Sequence, residues 1–383
     1  MTPDSLPLDC GAPAMKFRRL FFSDPSGGVS ELFADRRISW SFNTRVAIRA
    51  ACDTLGLEPG DEILAPAYNC GSELDPFLHA GINVTLYPIG RDLCACPDQI
   101  SSLISSRTRA VYVTHYFGIL QPDLADIRKL CDTHGLRLIE DCALSLLSGA
   151  RPAEGFVGDV SVFCFYKFFP VLQGGALVIN ADDLPDVDPF HRPAPGVYVA
   201  KSLVRPVLGR LIRAAKARRN RFSGRHHRVD DSTSLLPCVD QNGPDLPDMP
   251  HHYYFDPDLQ SRRISTFAVR AMKAFDVADA IDIRRQHWCL YRELLDGVAG
   301  VEFLQPDLNR YTSPLNMPLL VQNRDRVVSA LQAQEIGATA WWSGYHRHLD
   351  WSGQSEAAFL KDHVLSLPAH QYLTAAHIRH IVD

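Results

Sequence analysis

At 383 residues the chain is too long for one small core and suits a large domain with a smaller companion. Hydrophobic residues make up 46% and charged residues 22%, the balance of an ordinary globular protein, and the formal net charge of −5 gives no global attraction for nucleic acid. No apolar run approaches the roughly 18 residues that a membrane-spanning helix needs.

Met1 to Asp9 carries acids and prolines where a signal peptide needs a basic start and an apolar stretch. The ten cysteines lack the spacing of a disulfide framework, so the expected compartment is the cytoplasm. Cys94 and Cys96 form a lone Cys-x-Cys with no second pair nearby, which reads as two ordinary thiols with no metal between them.

In chain order, Thr44 to Leu55 reads as a helix with apolar Val46, Ala47, Ala50, Ala51 and Leu55 on one side. Glu62 to Pro66 is a short apolar strand, Ser72 to His79 a helix, Asn83 to Tyr87 a strand and Asp98 to Ile104 a helix. Ala110 to Thr114 is a strand, Leu124 to His134 a helix and Leu136 to Ile139 a strand. Val160 to Phe165 and Ala176 to Ile179 are two further strands. Short apolar strands alternating with helices imply an α/β fold with a mainly parallel sheet covered on both faces.

Prolines and polar residues then dominate from about 181 to 260, which reads as an insertion. Ile264 to Leu295 resumes as one long helix ended by Gly297 and Gly300. Strand signals at Leu315 to Val321 follow, with helices at Arg324 to Gln334, Ser355 to Asp362 and Thr374 to Val382. The expected division is an N-terminal segment 1–39, a large domain 40–260 containing the insertion, a connecting helix 261–300, and a small C-terminal α+β domain 301–383.

Within the insertion, Lys201 to Arg228 holds ten basic residues and no acid, leaving 29 bases against 44 acids elsewhere. Val204, Leu208, Leu211, Ile212 and Ala215 recur at helical spacing, as in a basic amphipathic helix. Such a segment is either a solvated surface or a dock for an anionic membrane surface or a phosphate-bearing substrate.

Three features fall where parallel strands end, the place where open α/β sheets bind ligands. They are Glu140-Asp141 after Leu136–Ile139, Lys167 between the last two strands of the large domain, and the Asn43-Thr44 turn that opens the first helix. Chemistry with pyridoxal phosphate asks for these residue types. A lysine must bind the aldehyde and act as base at the substrate α-carbon; a carboxylate must keep the pyridine nitrogen protonated. The phosphate wants free backbone N–H groups at a helix N-terminus. Lys167 sits among Phe165, Tyr166, Phe168 and Phe169, where an unpaired ammonium is costly unless it reacts or reaches the surface.

The same residues resemble the DegT/StrS family of PLP-dependent sugar aminotransferases, of fold type I. The likeness lies in Gly60-Asp61-Glu62-Ile63-Leu64, Asn43-Thr44, Val113 to Gly118, Glu140-Asp141-Cys142-Ala143, Cys164 to Lys167 with Gly174-Gly175, and Leu365 to His370. It implies pyridoxal 5'-phosphate joined to Lys167, Asp141 at the pyridine nitrogen, and Asn43, Thr44 and Cys164 beside the phosphate. Tyr68 is the choice for the ring-stacking aromatic. The implied reaction moves an amino group from an amino acid, glutamate above all, to a keto-sugar on a nucleotide, in a homodimer.

Departures from the pattern are Asn43 for a glycine, Cys164 for a hydroxyl residue, Leu144 for Gln or His, and Gln173 for Glu. They leave two other readings open: a PLP- or sugar-nucleotide-binding relative without turnover, or another PLP reaction on an amino or acyl substrate.

Overall fold

Seven strands form the main sheet of this computed structural model, which describes residues 29–148, 156–200, 246–273, 275–305, 307–310 and 312–383. The large domain runs β1 (Arg37–Ser41), α1 (Thr44–Thr54), β2 (Glu62–Pro66), α2 (Asp75–His79), β3 (Asn83–Tyr87), α3 (Pro97–Ser102), β4 (Thr108–Thr114), α4 (Leu124–His134), β5 (Arg137–Asp141), β6 (Val160–Cys164) and β7 (Gly175–Ile179). The strand order across the sheet is β1-β7-β6-β5-β4-β2-β3. From β6 to β3 every neighbour is parallel; β7 alone runs against its neighbours on both sides. All five residues of β2, β6 and β7 are buried, as a sheet covered by helices on both faces requires.

After the insertion come α5 (Thr266–Lys273) and α6 (Val277–Leu295). A four-stranded antiparallel sheet follows, β8 (Val301–Phe303), β9 (Asn316–Val321), β10 (Thr339–Ala340) and β11 (Val364–Pro368), in the order β10-β11-β9-β8. It packs with α7 (Arg324–Ala333) and α8 (Ser355–His363), while α9 (Ala375–Val382) lies against α6. The apolar cluster of this small domain joins Trp288 and Tyr291 of α6 to Met317, Leu319, Leu365, Leu367 and Ile378.

Three expectations change. Ile264 to Leu295 is two helices, because the Asp276 side chain accepts from Asp279 N and restarts the chain as α6. The helix expected from Ser72 begins at Asp75, since Pro76 belongs in a first turn and the Glu73 carboxylate binds Cys70 instead. Arg37–Ser41, which spans the end of the segment set apart as N-terminal, is an edge strand of the main sheet paired with β7. The basic segment Lys201–Arg228 lies outside the described residues.

Two contacts lock the domains together. Gly118 has φ of +96° and lies so close to the small domain that a Cβ there would come 2.2 Å from Ser313 O. Arg284 of α6 is fully buried; it donates to Pro314 O at 3.0 Å, Leu315 O at 2.7 Å and Gln371 Oε1 at 2.8 Å. Gln371 in turn donates to Phe168 O at 3.0 Å, so the small domain braces the turn that carries Lys167.

Candidate active site

The C-terminal ends of β2, β4, β5 and β6 lie at one edge of the sheet, and β1 ends there too, being antiparallel to β7. Ser41 and Cys164 are both in register with Gly175, one on either side of β7. Past Ser41 the chain turns through Phe42 and Asn43 into α1. The Asn43 side chain accepts from Val46 N at 3.0 Å, so it caps the helix. The Thr44 hydroxyl donates to Phe163 O at 3.0 Å and also reaches the Cys164 thiol. A Cβ on Gly175 would stand 2.7 Å from both Asn43 C and Thr44 N, so only glycine lets the helix start this close to the sheet.

Lys167 lies three residues past Cys164, in a tight turn where Phe168 N and Phe169 N both donate to Phe165 O. Among the described residues its ammonium has no hydrogen-bond or ion-pair partner. Burial works to lower its pKa, but the nearby Cys164, Cys70, Asp141 and Glu73 outweigh this and the net shift is upward. Burial holds the Cys70 thiol up at about 12 and also raises that of Cys164.

Asp141, the last residue of β5, is buried. It accepts from Tyr112 Oη and from Ala143 N, each at 2.8 Å. Burial and the neighbouring Glu73 push its carboxyl up, while Lys167 and the two donors pull it down, leaving a net rise. A cation beside it would favour its charged form.

The loop after β2 faces this group. Tyr68 is fully buried: Tyr116 donates to its carbonyl at 2.6 Å, and its ring lies 5.7 Å from the ring of Tyr116 and 5.3 Å from that of Trp342. Cys70 follows, with its amide and thiol both held by the Glu73 carboxylate at 3.0 and 2.7 Å. Thus Lys167 lies near Asp141 and Cys164, and Thr44 reaches Cys164, while Asn43 caps α1 and Tyr68 packs between Tyr116 and Trp342 with its hydroxyl toward Trp341 O.

Glu73 and Tyr112 were not singled out from sequence. Glu73 looks like an ordinary helix-start acid, and Tyr112 is one aromatic in a buried strand. Leu144 and Gln173, at the divergent positions, are buried, and neither polar atom of the Gln173 amide has a partner among the described residues. A neighbouring group of His115, Glu140 and Cys142 lies within ligand reach of itself. There His115 Nε2 meets Glu140 at 2.9 Å and Nδ1 accepts from Gln121 N, so both ring nitrogens serve the fold.

A sequence profile of the DegT/DnrJ/EryC1/StrS aminotransferase family matches residues 38–187 and 267–383. The chain belongs to this family. DegT/DnrJ/EryC1/StrS aminotransferases are pyridoxal-phosphate enzymes, and the residues described above suit that cofactor. They offer an unpartnered amine, a buried carboxylate, and a helix N-terminus set against a glycine that a side chain would fill.

GDP-perosamine synthase of Vibrio cholerae is 32% identical over 148 residues, 38% of this chain and 40% of that protein. L-glutamine:2-deoxy-scyllo-inosose aminotransferase of Streptoalloteichus tenebrarius is 32% identical over 194 residues, 46% of this chain and 45% of that protein. The matches thus span less than half the length of these curated relatives.

Among solved structures, the aminotransferase TlmJ of Streptoalloteichus hindustanus superposes with a TM-score of 0.62 at 18% identity, covering 97% of this chain and 90% of that one. Helicobacter pylori PseC, an aminotransferase of pseudoaminic acid biosynthesis, gives 0.64 at 15% identity, covering 97% and 96%. These likenesses establish the type I fold. Among the described residues no helix is long and apolar enough to cross a membrane.

Proposed function

We propose that this protein moves an amino group from an amino-acid donor, glutamate in the first instance, to the carbonyl of a nucleotide-linked keto-sugar. The observation that carries it is the convergence of Lys167, Asp141 and the α1 N-terminus at one sheet edge. Two relatives that match part of the chain are named for GDP- and UDP-linked sugars, GDP-perosamine synthase and a UDP-N-acetyl-3-dehydro-glucosamine aminotransferase of Acidithiobacillus ferrooxidans.

Bound pyridoxal phosphate supplies an electron sink that makes the donor's α-proton removable. Lys167 Nζ would be the amine that holds the cofactor and the base that carries that proton. The Asp141 carboxylate would hold the proton on the pyridine nitrogen; Tyr112 and the Ala143 amide fix its two oxygens. The first N–H groups of α1 would receive the phosphate, whose charge the helix dipole favours, and the Thr44 hydroxyl would join them on leaving Phe163 O. Tyr68, on the loop after β2, would serve as the ring-side aromatic.

The proposal includes a homodimer and a cytoplasmic setting, in keeping with a substrate carried on a nucleotide. It also includes docking of Lys201–Arg228 on an anionic surface, supported by ten bases with no acid between them.

Reconstitution with pyridoxal phosphate is expected to give an absorbance band near the visible edge that Lys167→Ala abolishes. Glutamate should bleach it with release of 2-oxoglutarate, and a panel of nucleotide keto-sugars should restore it. No band in the wild-type protein would overturn the reading. A band that glutamate leaves unchanged would favour a binding relative without turnover, the reading to which Leu144 and the unpartnered Gln173 amide point.

A further inference from the structure

Lys361 of α8 is completely buried, a rare state for a lysine. Its three ammonium protons each have an acceptor: Asn69 O at 2.6 Å, Gly344 O at 2.8 Å and Trp342 O at 3.1 Å. Two aromatic faces close around it, with Nζ 5.0 Å from the Tyr345 ring centre and 4.8 Å from that of Trp351. The backbone of Lys361 is held as well, by Arg324 Nη1 donating to its carbonyl at 2.6 Å.

Asn69 lies between Tyr68 and Cys70. Its side-chain amide is spent on Pro66 O at 2.8 Å and Ala67 O at 3.1 Å, which turns its own carbonyl toward the small domain. Among the described residues no other donor reaches the carbonyls of Asn69, Trp342 or Gly344.

We propose that Lys361 is a positioning residue: its ammonium, reaching from the small domain, fixes the Tyr68–Glu73 loop in place opposite Lys167. Calling that loop part of the active site rests on the function proposed above; the anchoring itself does not. Burial draws the amine down to about 7, against the pull of Cys70, Glu73 and Asp362. The coordination favours the charged form, since a neutral amine would leave one of the three carbonyls without a donor. A methionine fills the same volume and leaves all three bare, each at a desolvation cost.

The test is hydrogen exchange on cofactor-free protein. In Lys361→Met the amides of residues 68–75 should exchange about tenfold faster, the loss of one charge-assisted bond, while α4 peptides keep their wild-type protection. Trp351→Leu keeps the carbonyl cage and removes one aromatic face together with the indole bond to His346 O; it should accelerate residues 68–72 about twofold to fivefold, and it serves if the methionine variant does not fold. In protein loaded with pyridoxal phosphate, the pH midpoint of the visible-edge band should move by about half a unit in either variant, because Cys70 and Glu73 shift against Lys167.

Unchanged loop exchange, acceleration spread evenly over all peptides, or an unmoved midpoint would each overturn the assignment. If the loaded wild-type protein gives no band, the proposed function fails while the exchange result still decides the anchoring.

Discussion

Replacing Gly175 with alanine probes the junction on which the proposed cofactor site depends. The added Cβ would lie 2.7 Å from Asn43 C, 2.7 Å from Thr44 N and 2.9 Å from Phe163 O. Ordinary contact begins near 3.4 Å, so β7 and the α1 turn must part by about 0.7 Å. All three atoms are backbone, so no side chain can rotate away, and overpacking of this kind costs about 1–3 kcal/mol. If the strain is met by moving the turn, the phosphate loses one or more amide donors at about 1.5–3 kcal/mol each, a roughly 10- to 150-fold loss of affinity. If it is met by the sheet, the denaturant midpoint of the cofactor-free protein falls instead. Titrating apoprotein with pyridoxal phosphate by absorbance, alongside a urea melt, reads both. Gly196→Ala is the control, because nothing lies within 4 Å of its Cβ. Wild-type affinity together with a wild-type midpoint in Gly175→Ala would refute the reasoning.

Asp159 accepts from Leu138 N and Arg128 at 2.7 Å each and from Arg137 at 2.9 Å, and these bonds hold its carboxyl below the usual range despite burial. With Arg137 a third exposed, Asp159→Asn should cost about 2–3 kcal/mol in a urea melt at pH 7. A depressed folded pKa gives stability that is full above the unfolded value, about 3.9, and is lost as pH falls through the folded one, so the two proteins should converge in acid. A gap that persists at low pH would argue against the ionic origin. Deleting Lys201–Arg228 should abolish sedimentation with anionic liposomes and leave neutral liposomes unaffected; unchanged binding removes the membrane reading.

The helices and strands read from sequence were those whose partners are local or whose periodicity is strong. Leu124–His134 coincides with α4 because a single apolar stripe and the following Gly135, in the left-handed conformation, mark its face and its end. Arg37–Ser41 was missed because its pairing is with residues 175–179, far along the chain, and five alternating residues carry little signal alone. The break inside Ile264–Leu295 was legible in principle: Asp276 three residues before Asp279 is a capping pattern, hidden by apolar residues on both sides. Lys167, Asp141 and Thr44 could be set at strand ends from the sequence because short apolar runs separated by helices show where each strand stops. Glu73, Tyr112 and Lys361 were not legible, since burial of a polar side chain is decided by chain segments distant in sequence. Lys361 in particular reads as a solvated lysine on a helix until Asn69, 292 residues earlier, is brought to it.

The single reversed strand explains why these residues meet at all. In a wholly parallel sheet the chain leaving β6 would enter a helix and carry Lys167 away from the sheet. Here β6 turns straight back as β7, so the turn stays at the sheet edge with Lys167 exposed to the neighbouring strand ends. The same reversal lets β1 pair antiparallel to β7, which aims Ser41 and the Asn43-Thr44 turn at that edge rather than the opposite one. Gly175 is in register with Ser41 and Cys164 together and is the residue at which both consequences join. Lysine and helix N-terminus are therefore placed by one topological choice, while Asp141 comes independently from β5. Substitutions along β7 should then disturb the Asn43-Thr44 turn and the segment carrying Lys167, and leave the Asp141–Tyr112 contact intact.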